Sequence, residues 1–199
     1  MGEGIKKTVR ILLTNLLMVI CSIPVITAGA AIAAAFYVNL KLAGGEDVSV
    51  VKMFFSSFKQ NFLQGTLMWI ITLPFLAGLG YMWFKLLSMK EFSLLFVIGS
   101  VLLTFIFFIV FIYTFPLIAR YNNTLANQIR NSIGITVQNF KSTLILIVKV
   151  LVEIAISYVV LGFFGFMIIP LLVMIAPAVI ISTISEPAKE IFTDLESKA

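Results

Sequence analysis

Apolar residues run almost unbroken from Ile11 to Tyr37, Leu63 to Leu87, Phe92 to Ala119, Ser142 to Leu161 and Phe166 to Ile184. About 20 helical residues cross a hydrocarbon core of about 30 Å, so runs of this length predict membrane-spanning helices. They lack the apolar-out, polar-in alternation of a transmembrane barrel, and the chain is expected to be all-α. Two stretches between the runs are amphipathic instead. In 49–62, Val51, Phe54, Phe55, Phe58 and Phe62 share one helical face and Ser49, Lys52, Ser56 and Lys59 the other. In 121–140, Leu125, Ile129, Ile133, Val137 and Phe140 oppose Asn123, Asn127, Arg130, Asn131 and Gln138. Gln60-Asn61-Phe62 and Gln138-Asn139-Phe140 repeat at the two points where an amphipathic stretch enters a spanning helix.

The first run is long for one crossing and short for two. Pro24 removes a backbone donor and disfavours helix at Ile23, Thr27 is placed to cap a new helix, and Gly29 loosens its first turn. The expected fold is therefore a polytopic bundle of six helices, about 11–25, 28–43, 63–87, 92–119, 142–161 and 166–184, forming a single membrane domain over 1–199. Its first two helices are a short pair broken at Pro24 to Gly29, either a crossing hairpin or a re-entrant one. The small residues from Ala28 to Ala35 suit close helix contact, which puts the second helix at the bundle centre. Pro74 is expected to kink the third helix, Trp69 and Trp83 are possible interface anchors, and the tail after Ser185 reads as a short exposed helix.

Composition agrees with this pattern: 61% of residues are hydrophobic and 12% charged, against about 25% charged in a soluble domain. The net charge of +5 comes from Lys and Arg beside the apolar runs, which points to topology rather than nucleic acid. With both ends of the chain inside, Lys6, Lys7, Arg10, Lys41, Lys52, Lys59, Arg120, Arg130, Lys141, Lys189 and Lys198 lie in the cytoplasm and only Lys85 and Lys90 outside. Treating Ile11 to Leu42 as one crossing reverses the bias and breaks the positive-inside rule. The expected location is a bacterial cytoplasmic membrane with N- and C-termini cytoplasmic. The glycosylation-like Asn122-Asn123-Thr124 is discounted because this topology keeps it inside.

Chemical groups are sparse. The chain has no His and one cysteine, Cys21, which excludes Ser-His, Cys-His and His-based metal sites; an enzyme is not expected and no cofactor is implied. Asn15 is expected to hydrogen-bond a neighbouring helix. Lys149 and Glu153, one turn apart in a spanning helix, either neutralise each other or form a coupling-ion or substrate site. Lys52, Phe55, Lys59, Arg130 and Ile133 are the candidate docking residues for a soluble partner, the alternative being that both amphipathic helices simply lie in the lipid interface.

Asn15-Leu16-Leu17, Cys21 to Gly29, Ala33 to Val38, Gly45-Glu46-Asp47 and Phe54 to Phe62 together resemble the YesL-like family, small membrane proteins of Gram-positive bacteria with no established activity. Members often carry Pro after the glycine of the turn, where this chain has Ala30. The resemblance implies an accessory or permease-like component of an ATP-driven carbohydrate importer, with an ATPase or permease subunits as partners. The alternatives are a self-contained small solute transporter or a structural membrane scaffold.

Overall fold

A computed structural model describes residues 2–47, 49–88 and 93–197. Lys90 and Lys198, counted in the topology, and Phe92, the expected start of the fourth helix, lie outside the described residues. The described residues are all-α: α1 Glu3–Cys21, α2 Ala28–Ala43, α3 Val50–Gln60, α4 Phe62–Ser88, α5 Leu94–Phe111, α6 Thr114–Arg120, α7 Leu125–Gln138, α8 Phe140–Phe164 and α9 Ile169–Ser197. Four stretches are long and apolar enough to cross a membrane: Val25–Ala43, Phe62–Ser88, Leu94–Arg120 and Phe140–Ser197. The last contains both α8 and α9, which fold back on each other at Gly165, whose φ of 63° suits glycine. α1 falls outside these stretches because Lys6, Lys7 and Arg10 occupy its first half.

α2 is the centre of the bundle, as its small residues require, and packs against α1, α3, α4, α6 and α9. Twelve of its sixteen residues are buried. The tightest crossing is with α4. A Cβ on Gly29 would lie 2.0 Å from the Gly65 carbonyl oxygen, and one on Gly65 would lie 2.8 Å from Ala30 Cα. Both positions bring backbone against backbone, which no side-chain rotation can relieve. Gly29 therefore serves the packing of α2 against α4. The expectation for Thr27 is corrected: it makes no cap bond to α2. Its hydroxyl donates backwards to the carbonyls of Pro24, at 2.8 Å, and Cys21, holding the 3₁₀ turn Val25–Thr27 closed.

Two helix irregularities are repaired by side chains from elsewhere. Pro177 lies within α9 and has no N–H for the Val173 carbonyl. Buried Asn15 of α1 donates to that carbonyl at 3.4 Å and to that of Met174. The expected span 92–119 is broken at Ile112–Tyr113, because Pro116 leaves the Ile112 carbonyl unpaired and its ring crowds that turn. At the end of α5, the Val110 carbonyl accepts from Ser132 at 2.8 Å and Thr114 at 2.6 Å, and the Ile109 carbonyl from Thr136 at 3.2 Å.

This changes how α7 sits. Its buried residues are Gln128, Ser132, Ile135 and Thr136, so a largely polar stripe faces the protein, while Ile133, Val137 and Phe140 from the expected apolar face are exposed. α7 starts at Leu125 rather than Tyr121, with the Thr124 hydroxyl capping it by accepting from Asn127 N–H. The tail after Ser185 is not a separate exposed helix: α9 continues to Ser197 and buries Ala188 and Phe192. The repeated Asn motif occupies equivalent joints. Asn61 alone separates α3 from α4, and Asn139 alone separates α7 from α8. Each side-chain amide bonds back to a residue four earlier, Ser57 at 3.1 Å and Ile135 at 3.1 Å.

Gly65→Ala is expected to destabilise the bundle by about 1–3 kcal/mol, whereas Gly78→Ala on the same helix, where a Cβ meets nothing within 4 Å, leaves stability unchanged or raises it by up to about 1 kcal/mol. Denaturant unfolding in detergent, followed by circular dichroism, compares them. In the same assay Asn15→Ala costs about 1 kcal/mol, and Pro177→Ala in that background recovers most of the loss by restoring the helical donor; simple additivity would refute the pairing.

Candidate functional site at the polar end of the bundle

Charged side chains gather where α1 begins, α2 ends and α9 finishes. Lys7 pairs with Glu186 at 3.2 Å, Arg10 with Asp47, and Lys41 with Glu46 at 3.0 Å. The start of α1, the α2–α3 link and the second half of α9 therefore lie at one end of the bundle, as charge counting requires. At this end Arg120 grips Glu196 through two bonds of 3.0 and 2.8 Å, and the Tyr121 hydroxyl donates to the same carboxylate at 2.7 Å. The guanidinium also lies 5.8 Å from the centre of the Phe192 ring. Burial first, then the bond to Glu196, pushes the Tyr121 phenol up to about 12, so it is a neutral donor across the physiological range. This cluster, which residue patterns did not single out, fixes the end of α9 against α6.

Beside it lies a groove of about 620 Å³ between α7, the α6–α7 link and the end of α9. Arg130, Gly134 and Gln138 recur every four residues of α7 and share one wall with Asn131; Asn122, Tyr121 and Glu196 contribute the others. Among the described residues Arg130 has no ion pair, and the side chains of Asn122, Asn131 and Gln138 have no hydrogen-bond partner. The groove thus offers one unneutralised cation among free amides, suited to a carboxylate flanked by polar groups. Ile133 lies outside it. Lys52, Phe55 and Lys59 lie exposed on α3, with Phe55 edge-on to buried Phe54 at 5.6 Å. The α4 side of this end is tied to the α6–α7 link by Gln64, which donates to the Asn123 carbonyl at 2.6 Å.

Lys149 and Glu153 do not pair. Glu153 Oε1 accepts from the Thr183 hydroxyl of α9 at 2.6 Å, and its Oε2 is buried without a partner among the described residues. Lys149 is exposed. The i, i+4 spacing predicted the shared face, but α9 takes up the carboxylate. A second polar contact between helices joins Ser182 of α9 to buried Asn39 of α2, whose Oδ1 accepts at 3.2 Å.

Residues 11–84 match the family described as "Protein of unknown function, DUF624". This stretch runs from the apolar start of α1 to near the end of α4 and includes the Gly29–Gly65 crossing, while the groove lies beyond it. No curated protein and no solved structure matches the chain.

If Thr183 supports the Glu153 carboxyl, Thr183→Val costs about 1.5–3 kcal/mol in the otherwise unaltered chain and distinctly less in a Glu153→Leu background. Unfolding midpoints of the four members of this cycle measure the difference; a cost independent of residue 153 would show that the bond contributes nothing.

Proposed function

We propose that this chain is a non-enzymatic integral component of a bacterial uptake system, held in the cytoplasmic membrane by its apolar helices and engaging a soluble partner through the polar end of the bundle. The observation that carries this reading is the groove along α7, with the unpaired Arg130 and the free amides of Asn122, Asn131 and Gln138. An acidic helix of a cytoplasmic ATPase matches this lining by charge, in the helix-in-groove mode. Lys52, Phe55 and Lys59 on α3 add a second basic and aromatic surface. The YesL-like resemblance supports the choice of partner, an ATP-driven carbohydrate importer, and the charge bias supports cytoplasmic ends of the chain. The unpartnered Glu153 oxygen supports the rival reading, a self-contained transporter with its site between α8 and α9.

A photo-crosslinking residue at Gln138 is expected to capture the ATPase or a permease subunit of a sugar importer in the native membrane, and Arg130→Glu to abolish that capture while the protein still accumulates normally. Sugar flux into liposomes containing this chain alone, sensitive to Glu153→Gln, would overturn the docking reading in favour of the rival.

A further inference from the structure

A cleft of about 710 Å³ lies between α1, α2, α4, α5, α8 and α9, away from the polar end. Its volume is that of a site for one small ligand. Its walls are apolar, with Phe36 of α2, Trp69 of α4, Phe111 of α5 and Ile181 of α9 among them. The two hydroxyls in the lining are already used: Ser22 donates to Met18 O and Thr72 to Met68 O, both at 2.7 Å. A bound water needs two to four polar partners; among the described residues the lining leaves one side-chain group unpaired, the buried Trp69 Nε1–H, too little for water, an ion or a sugar.

Shape narrows the occupant further. The cleft follows α9 from Val173 to Ile184, about 16 Å at the helical rise, so it is elongated along the helix axis rather than compact. Its mouth is rimmed by Ile23 and Val25, 75% and 61% exposed in the α1–α2 turn, and by exposed Val173. These residues continue the outer surface of the spanning helices, where the surrounding medium is hydrocarbon rather than water. We propose that the cleft is a binding site for one acyl chain of a membrane lipid, lying along α9 between the α1–α2 turn and α5. The chain fills space left open between the Ala28, Ile32 and Phe36 face of α2 and the Pro177 irregularity of α9, and it makes the bundle's packing responsive to lipid. The assignment is independent of the docking groove.

Trp69 and Trp83 are the two tryptophans of the chain, so Trp83→Phe leaves a single reporter in the cleft wall. Reconstituted in bilayers of phosphatidylcholine brominated along its acyl chains, this variant is expected to show strong quenching of Trp69 emission. Adding Ala176→Phe, or Ile180→Phe should the first variant fail to fold, fills the cleft and is expected to return the emission to its level in unbrominated lipid. Absence of quenching in the Trp83→Phe protein would overturn the proposal, as would equal quenching in a folded cleft-filled variant. Disulfide crosslinking between copies carrying Val173→Cys would also overturn it, because a second chain would then occupy the mouth.

Discussion

A backbone carbonyl that loses its helical partner inside a bilayer has no water to turn to, and must be supplied with a donor by the protein itself. That constraint explains the placement of three of the chain's buried polar side chains, Asn15, Ser132 and Thr136. Asn15 is carried by α1 to the gap made by Pro177. Ser132 and Thr136 are carried by α7 to the frayed end of α5. Each bond joins elements distant in sequence, so the helix irregularities act as attachment points and bring the first helix against the last and the surface helix α7 against the apolar interior.

The same bookkeeping separates architecture from candidate chemistry. Asn15, Ser132, Thr136 and Thr27 are committed to carbonyls, and Arg120, Tyr121 and Glu196 to one another. Among the described residues the atoms left over are Arg130 and its neighbouring amides along the groove, and the buried Glu153 Oε2, Asn15 Oδ1, Thr66 Oγ1, Trp69 Nε1, Gln128 Oε1 and Ser185 Oγ. Of these buried atoms only the Glu153 oxygen belongs to an ionisable group, and Arg130 is the cation of the groove without an ion pair among the described residues, which is why these two places bear the functional weight.

Much of the architecture was legible from periodicity because long apolar runs have one solution in lipid. The central position of α2 followed from its small residues, and the grouping of charges at one end followed from their flanking positions. The failures share a cause: they concern what a side chain touches across the fold. Ser132 and Thr136 belong to neither of the two faces that periodicity picks out on α7, and their role is visible only when the broken end of α5 is beside them. Pro116 was the visible signal for that break, and it stands in an otherwise unbroken apolar run. The Lys149–Glu153 spacing was real, yet Thr183, 30 residues away in sequence, determined the carboxylate's partner. The Arg120–Glu196 contact joins residues 76 apart and had no local signature.

The single-asparagine joints at Asn61 and Asn139 have a mechanical consequence. A connection of one residue, braced by a side-chain bond to the preceding turn, has almost no slack, so the surface helix and the spanning helix it feeds behave as the two arms of a bell crank. Lifting or rotating α7 at the membrane surface must swing α8, and displacing α3 must swing α4 about the Gly29–Gly65 contact.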